Sequence, residues 1–495
     1  MAKRNGGIIG PSNVPTGQYG GTASGVWRLR DAFNYIKAGL WPVAGNYPVA
    51  NSLRFNSGST DYLQRTPASA GSLTTWTYSF WTKRSKLATA EQYLSAGPRS
   101  SPNVEDQLYS ISTDAINWYD GTANANVLRT TQLFRDVSAW YHLMFVWDTT
   151  NATAGNRARI YVNGAEVTAF SIDNNPSLNA VSKFNGTGQH RIGQTATVSG
   201  ENLDGYLAEV IFIDGQALTP SSFGLTDSAT GIWIPKPYIG TYGTNGFYLN
   251  FANSADLGND VSGNNNDWTV NNLTSVDQST DTPTNNFATM NFLSSVSVTL
   301  TEGNLKGAGA GDENFRSTFA VNKGKWYWEV KLGADGGVWG ICSENVTMAT
   351  DRSGSAGVYG IQNAGGSFAY FRNNGSTGES AGFPNPVSGN IMNMAFDADN
   401  AKLYIGINGT FYNLSGSTGN PATGSNATYS SINTALLWLA FCEFRGAGQS
   451  CELNFGSPPF TISSGNADAN GYGNFEYAVP SGYYALNTKN LAEYA

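Results

Sequence analysis

The chain has 495 residues, which corresponds to about three domains of ordinary size and is long enough to bury sizeable cores. Lys and Arg number 28 against 36 Asp and Glu, so the formal net charge is −8, which argues against nucleic acid or anionic lipid as a partner. Only 13% of the residues are charged, about half of the usual share, whereas Gly (58 residues) and aromatic side chains (13%) are abundant. This composition favours β-sandwiches with many turns over helical bundles.

The cysteines and the apolar runs bear on where the protein folds. Cys342, Cys442 and Cys451 are odd in number and too few to staple a chain of this length, so we expect buried free thiols. The first residues lack the apolar run of a secretory signal, and no stretch approaches the roughly 18 apolar residues of a spanning helix. We therefore expect folding in the cytosol and no membrane insertion.

Residues 1–48 form an irregular leader with one predicted helix. Leu29, Phe33 and Ile36 follow i, i+4, i+7 spacing, and Gly39 provides a stop signal. Two interpretations remain open at this stage. The helix either packs on the next domain or is an insertion peptide whose aromatic residues, such as Trp27, Phe33 and Trp41, fill a groove on another protein.

Residues 49–228 consist of short alternating runs that are rich in β-branched and aromatic residues and are closed by turn residues. The clearest hairpin lies at 159–167, because Asn163-Gly164 supplies the two residues of positive φ in a tight turn. These runs predict an antiparallel sandwich.

Residues 229–294 form a polar stretch rich in Asn, Asp and Thr, which predicts a linker with one strand attached to a neighbouring domain. Asp256, Asp260 and Asp267 supply carboxylates at short spacing, and Ca²⁺ takes several such oxygen ligands. The alternative is a turn in which these side chains bond to their own backbone.

Alternation resumes over residues 295–462. Trp326, Trp328 and Val330 share one side of a strand while polar neighbours take the other, the period of a half-buried strand. This region predicts a second sandwich, followed by a C-terminal extension at 463–495. The expected fold class is all-β, with a concanavalin-like jelly roll, a second sandwich and a short N-terminal helix.

Two segments resemble known families. SLRFNSGSTDYLQ, TYSFWTKRS, WYHLMFVWDTTN with RARIYVNGAEV, and LDGYLAEVIFIDGQALT resemble the laminin-G-like or concanavalin-like lectin family over roughly residues 50 to 225. GKWYWEVKL, GVWGICS, FDADNAKLYIGINGTFY and LWLAFCEF resemble the SPRY domain over about residues 300 to 460. The first resemblance implies binding of sugars, and the second implies binding of protein or peptide surfaces.

The leader, the phrase FYLNFANSADLGNDVSGNNNDWT and the terminal PSGYYALNTKNL resemble structural proteins of tailed bacteriophages, especially marine ones. This resemblance implies a tail fibre or another surface fibre, assembled in the host cytoplasm into a virion, that contacts host-surface glycan or protein. It implies a homo-oligomer, since tail fibres are usually trimers, and other virion proteins as partners of the leader. The implied anchoring residues are Gly6, Gly7, Pro11, Trp27, Phe33, Trp41 and Pro42.

Motifs for catalysis are not evident. The Glu-x-Asp-x-x-Glu pattern that serves glucanases of the concanavalin-like fold does not occur, and Glu201, Asp204 and Glu209 do not alternate onto one strand face. Only His142 and His190 could act as histidine bases, and no zinc motif is present. We therefore expect a protein that is not an enzyme and, apart from the candidate Ca²⁺, has no cofactor.

Two alternatives remain beside the fibre. A capsid or tail decoration protein would bind neighbouring virion subunits through its sandwiches, and broad sheet faces with exposed aromatic residues would favour it. A glycan depolymerase would need the carboxylate pair that the sequence lacks.

Overall fold

The computed structural model describes residues 29–38, 47–97, 105–196, 201–295, 297–334, 336–348, 354–363 and 367–495. Six of the predicted anchoring residues lie outside these ranges: Gly6, Gly7, Pro11, Trp27, Trp41 and Pro42. Antiparallel sheets dominate the described part, so the predicted all-β class is confirmed.

The N-terminal half contributes short strands. In chain order they are β1 (Ser52–Phe55), β2 (Tyr62–Arg65), β3 (Thr75–Arg84), β4 (Glu91–Gly97), β5 (Asp106–Ser110), β6 (Ala115–Asp120), β7 (Ala125–Leu133), β8 (Trp140–Asp148), β9 (Ala158–Val162), β10 (Ala165–Glu166), β11 (Phe170–Asp173), β12 (Gln189–Ile192), β13 (Gly205–Asp214), β14 (Gly224–Thr226), β15 (Trp233–Pro235), β16 (Phe247–Leu249), β17 (Thr269–Asn271) and β18 (Gln278–Ser279).

The C-terminal half is built in the same way. Its strands are β19 (Thr299–Thr301), β20 (Lys306–Ala308), β21 (Asp312–Val321), β22 (Lys325–Leu332), β23 (Val338–Ser343), β24 (Val358–Gln362), β25 (Phe368–Asn373), β26 (Ser376–Pro384), β27 (Ile391–Asp397), β28 (Lys402–Ile407), β29 (Thr410–Tyr412), β30 (Tyr429–Ser430), β31 (Trp438–Arg445), β32 (Ser450–Asn454) and β33 (Tyr484–Ala485). The helices are α1 (Leu29–Lys37) and α2 (Thr488–Tyr494), with single 3-10 turns at Ala154–Asn156, Pro220–Ser222, Ser275–Asp277 and Phe292–Ser294.

The first sandwich pairs two eight-stranded sheets. Sheet I has the order β10-β9-β8-β3-β13-β1-β18, with β16 also on β13, and sheet II has the order β11-β7-β6-β5-β4-β12-β2-β17. Between them lie Trp76, Trp118 and Trp147, almost fully buried and with ring centroids 5.4 to 6.3 Å apart. The predicted hairpin is present, since Asn163 (φ 47°) and Gly164 (φ 81°) join β9 to β10.

The second sandwich pairs sheet III, of order β19-β20-β32-β22-β27-β28-β29, with sheet IV, of order β21-β31-β23-β24-β25-β26. The strand β30 pairs with β28, and β33 pairs with β22. Trp326 and Val330 point into the core as the alternation predicts, and Trp339 and Phe396 fill the space between the sheets. The prediction of a half-buried strand is wrong, because the C-terminal extension covers the other side of β22 and buries Tyr327 and Glu329. Cys342, Cys442 and Cys451 are free and buried, as expected.

The polar stretch at 229–294 is not a separate linker, and this interpretation is corrected. Its strand β16 pairs with β13 in sheet I, β17 pairs with β2 in sheet II, and β18 pairs with β1. Phe247, Leu249 and Trp268 are buried in the core of the first sandwich. A few apolar residues are enough to attach this stretch to the sandwich, because its short strands pair with sheets that already exist. The polar residues form the turns between these strands.

The C-terminal extension packs on the second sandwich and ends in α2, a helix that the sequence analysis missed. Asn487 caps this helix by accepting a hydrogen bond from the Asn490 backbone at 3.0 Å, and Leu491 and Tyr494 pack against the core. A seven-residue helix has little stability alone, so the tertiary contacts select it. No helix among the described residues is long and apolar enough to cross a membrane.

The two sandwiches meet at a buried polar junction. The Lys83 ammonium donates to the Asp281 carboxylate at 2.8 Å, to Asn286 Oδ1 at 2.7 Å and to the Phe287 carbonyl at 3.1 Å, and both ionic side chains are 1% exposed. Tyr206 donates its hydroxyl hydrogen to the Gly303 carbonyl at 3.0 Å. The ammonium therefore has an acceptor for each of its three hydrogens, which offsets its removal from water.

We predict that Lys83→Met destabilises the protein by about 3 to 5 kcal/mol, because it leaves the Asp281 carboxylate buried without its counter-ion. Lys86→Met is the matched control, since Lys86 is exposed. The measurement is the urea midpoint of each variant. Equal midpoints for the two variants would contradict a stabilising role for the buried pair.

Candidate functional site

One face of sheet II lies opposite the core of the first sandwich and carries polar and aromatic side chains. Successive side chains along its strands point to opposite faces of the sheet, and Leu108, Trp118 and Leu128 are buried in the core. The register places the intervening residues side by side on the other face, since Gln107 pairs with Tyr119 and both Tyr109 and Arg129 pair with Asn117. We call these residues the open face: Gln107, Tyr109, Asn117, Tyr119 and Arg129.

Hydrogen bonds hold the open face in one arrangement. Arg129 donates from Nε to Asn117 Oδ1 at 2.8 Å, and Asn117 donates from Nδ2 to Asn126 Oδ1 at 2.8 Å. Burial, followed by the negative charge of Glu201, holds the pKa of Tyr109 above its ordinary value, so the phenol is neutral at pH 7. The face thus presents the phenols of Tyr109 and Tyr119 and the Gln107 amide beside one ordered guanidinium, whereas Asn117 is buried beneath them.

A groove of about 440 Å³ opens at the end of this face. It runs between the β6–β7 turn and the segment after β11, and its lining includes Asp120, Asn126, Asn174 and Val181. Asn174 donates from Nδ2 to the Asn126 carbonyl at 3.0 Å. Asn126 therefore belongs to both the groove and the hydrogen-bond chain of the open face.

The second sandwich has a pocket of about 300 Å³, which we call the rim pocket. Tyr359 and Trp438 contribute buried rings to its lining, with centroids 5.4 Å apart. Asn345, Asn374 and Asn433 also line it, and the Trp438 indole donates to the Asn433 carbonyl at 2.9 Å. This pocket combines aromatic surface with amides, and none of its described lining residues is charged.

Of the predicted anchoring residues, only Phe33 lies within the described part. It sits on α1, where the predicted helix is confirmed, and its side chain is 61% exposed; Ile36 on the same helix is 56% exposed. Because Phe33 and Ile36 are exposed to this degree, they are not buried against the sandwiches and are available to a partner.

The predicted calcium ligands lie in one turn and bind backbone groups there. Asp260 accepts hydrogen bonds from the backbone N–H groups of Tyr248, Ser262 and Asn266 at 2.8 to 2.9 Å. Asp267 accepts from the Asp260 backbone at 2.8 Å, and Asp256 accepts from Gly258 at 3.3 Å. Within the described ranges no group of three or more His, Cys, Asp or Glu could hold a metal ion. The turn contacts thus account for these carboxylates, and Ca²⁺ stays a prediction.

The histidines have structural surroundings. The Trp233 indole donates to His142 Nδ1 at 3.1 Å, so the ring hydrogen sits on Nε2, which lies 2.8 Å from Ser79 Oγ. Burial lowers the pKa of His142 to about 3 and that of His190 to about 4, so both rings are neutral at pH 7. His190 accepts from the Asn185 backbone at 3.1 Å.

The acids that the sequence analysis placed on different strand faces are dispersed in the structure as well. Glu209 lies in a bulge of β13 with φ 50°, and its carboxylate accepts from the Tyr248 hydroxyl at 2.7 Å. Burial raises its pKa to about 7. Asp204 is buried elsewhere and accepts from Ser57 Oγ at 2.7 Å. Each carboxylate has a local structural partner.

Comparison with known proteins supports the lectin-like part of the sequence analysis. Residues 57–222 match the Laminin_G_3 family model, described as the Concanavalin A-like lectin/glucanases superfamily, so the first sandwich is similar to domains of that superfamily. No curated protein matched the chain.

Similar solved structures share low identity with the chain. The SPRY domain of human HERC1 is 13% identical, covers 33% of this chain and 96% of its own, and has a TM-score of 0.27. A SAP-like pentraxin from Limulus polyphemus is 18% identical, with coverages of 35% and 80% and a TM-score of 0.27. A putative carbohydrate binding protein from Bacteroides ovatus is 16% identical, with coverages of 47% and 64% and a TM-score of 0.28.

The sequence analysis missed the open face, although a signal for it was present. In DQLYS and INWYD the apolar residues alternate with Gln, Tyr and Asn, so a strand in this region has a polar-aromatic side. What the sequence did not supply was the pairing of β5, β6 and β7, which brings those sides together.

We predict that acidification destabilises the protein through His142. Its pKa is about 3 when folded and near 6.5 when unfolded, so between these values the unfolded state binds the extra proton. The free energy of unfolding then falls by up to about 1.4 kcal/mol per pH unit through this group as the pH drops. His142→Gln lacks this titration, so the gap between the wild-type and variant urea midpoints should narrow from pH 7 to pH 4. A constant gap would contradict the assignment.

Proposed function

We propose that the protein is a non-enzymatic binding protein for neutral glycans and that the open face of the first sandwich is its binding surface. The observation that carries this proposal is the juxtaposition of Gln107, Tyr109 and Tyr119 on one polar sheet face, where the buried Asn117 holds the Arg129 guanidinium in place. The lectin-like family match over residues 57–222 supports the same function class.

The chemistry of the open face suits sugars. The apolar C–H side of a pyranose packs on an aromatic ring, and its hydroxyl groups both donate and accept hydrogen bonds, as amides do. Arg129 is anchored to Asn117, so the cation is preorganised for a hydroxyl or ring oxygen. Such a contact is weak for one site and gains strength when many copies bind together.

We further propose that this binding protein is an adhesin on a bacteriophage virion, assembled in the host cytoplasm as a homo-oligomer and attached through its leader. Support comes from the sequence resemblance of the leader and of the terminal segment, together with the exposed Phe33 and Ile36 on α1. In this proposal the receptor is a host-surface glycan or protein.

A capsid or tail decoration role is the second candidate, and one observation favours it. Phe368 and Tyr370 alternate on β25, are 40% and 39% exposed, and lie near the edge of sheet IV. An exposed aromatic pair on a sheet face suits contact with another protein subunit. In that role the second sandwich would bind neighbouring virion proteins.

We predict that Tyr109→Ala combined with Tyr119→Ala weakens binding to host-surface glycan by about tenfold, since each aromatic contact contributes about 0.5 to 1.5 kcal/mol. The measurement is titration of fluorescent protein on host cells and on purified surface glycan. Tyr370→Ala, an exposed tyrosine of the other sandwich, is the matched control and should bind normally. If only Tyr370→Ala reduces binding, the open face is not the receptor site.

Phe33→Ser with Ile36→Ser tests the anchor separately. We predict that this variant labels host cells as the wild type does but no longer joins purified virions, because the two changes remove the exposed apolar side of α1. If the variant instead loses cell labelling and still joins particles normally, α1 contacts the host cell and does not anchor the protein to the virion. Wild-type protein that coats particles but labels no cells would favour decoration.

A further inference from the structure

A polar cleft lies between the two sandwiches and shares no lining residue with the open face, the groove or the rim pocket. It has a volume of about 220 Å³. The first sandwich contributes Asn51 and Gln278, and the second sandwich with its C-terminal extension contributes Phe460, Ile462 and Asn474. Neither sandwich alone contains this site.

Hydrogen bonds across the junction fix the walls of the cleft. Ser279 Oγ lies 2.6 Å from Ser457 Oγ, and Thr280 Oγ1 donates to the Gly456 carbonyl at 3.2 Å. The buried Arg54 donates from Nη1 to the Pro458 carbonyl at 3.3 Å. The cleft is therefore preformed, and a ligand would not have to order its walls.

Three amide side chains line this cleft with unused hydrogen-bonding capacity. Gln278 donates from Nε2 to the Phe251 carbonyl at 2.7 Å, which fixes the amide and leaves Oε1 as an acceptor. The side chains of Asn51 and Asn474 make no hydrogen bond to any other described residue. The cleft thus offers donors and acceptors together.

The composition of the lining selects the class of ligand. None of the described lining residues is charged, and Ile462 adds apolar surface to the amides, whereas Phe460 is largely buried and has the Lys331 ammonium 4.9 Å from its ring centroid. Hydroxyl groups that both donate and accept match amides, and a C–H face matches the apolar surface. The volume is smaller than the roughly 300 Å³ at which pockets for drug-sized ligands begin, so it suits one small ring.

We propose that this cleft binds a single neutral sugar residue through the amides of Asn51, Gln278 and Asn474. The site shares its ligand class with the proposed function but none of its residues. A chain with both sites holds a glycan, or two glycans, at two points fixed by the junction, which increases avidity.

The test uses full-length protein in which Tyr109→Ala and Tyr119→Ala remove the open-face contacts. Saturation-transfer difference NMR is recorded with the methyl glycosides of glucose, galactose, mannose and N-acetylglucosamine. At least one glycoside should give a signal from this background. Adding Asn51→Ala and Asn474→Ala should raise its Kd by about tenfold or more, because the ring loses two hydrogen-bonding partners.

Asn322→Ala is the control, since Asn322 is also partly exposed and has no hydrogen-bond partner among the described residues, but lies in the β21–β22 turn. Thermal midpoints of all variants verify that they fold. An unchanged Kd after Asn51→Ala and Asn474→Ala, or no signal from any glycoside in the tyrosine background, would overturn the cleft as a sugar site. Neither result affects the open face, which the wild-type comparison on host glycan tests independently.

Discussion

The buried ammonium of Lys83 is the constraint on which the arrangement of the rest depends. It comes from β3, a central strand of sheet I, yet all three of its acceptors lie in the segment between 281 and 287. A buried charge is tolerated only when it is fully paired, so this segment has one acceptable position on the first sandwich. Asp281 is itself fixed by the Trp140 indole at 3.0 Å.

After the segment 281–287 the chain enters the second sandwich. Phe287, whose carbonyl accepts from Lys83, packs its ring in a cluster with Tyr327, Phe475 and Tyr483. The junction is therefore continuous with the apolar packing of the second sandwich and the C-terminal extension. The cleft between the sandwiches exists because the same junction holds residues 275–280 beside residues 456–462. Such a cleft requires both sandwiches, because neither of them supplies the whole lining.

The buried titratable groups of the scaffold differ in their electrostatics from the side chains of the two proposed binding surfaces. His142 and Glu209 lie on sheet I, are removed from water and have their pKa values shifted toward the neutral form. The open face and the cleft instead expose amides and phenols that need no ionisation to bind. A glycan site built from such groups should bind over a broad pH range, limited by the stability of the scaffold.

The sequence by itself determined the fold class, the two β-rich regions, the hairpin at Asn163-Gly164 and the helix around Phe33, because alternation, turn chemistry and helical spacing are local properties. It did not determine that the polar stretch containing Phe247 and Trp268 completes the first sandwich. Nor did it determine which polar side chains share a face or a cleft. Those outcomes depend on strand pairing and on contacts such as Lys83 with Asp281, 198 residues apart in the chain. Only the tertiary structure decided them, since the free energy that selects each partner arises when distant segments are buried together.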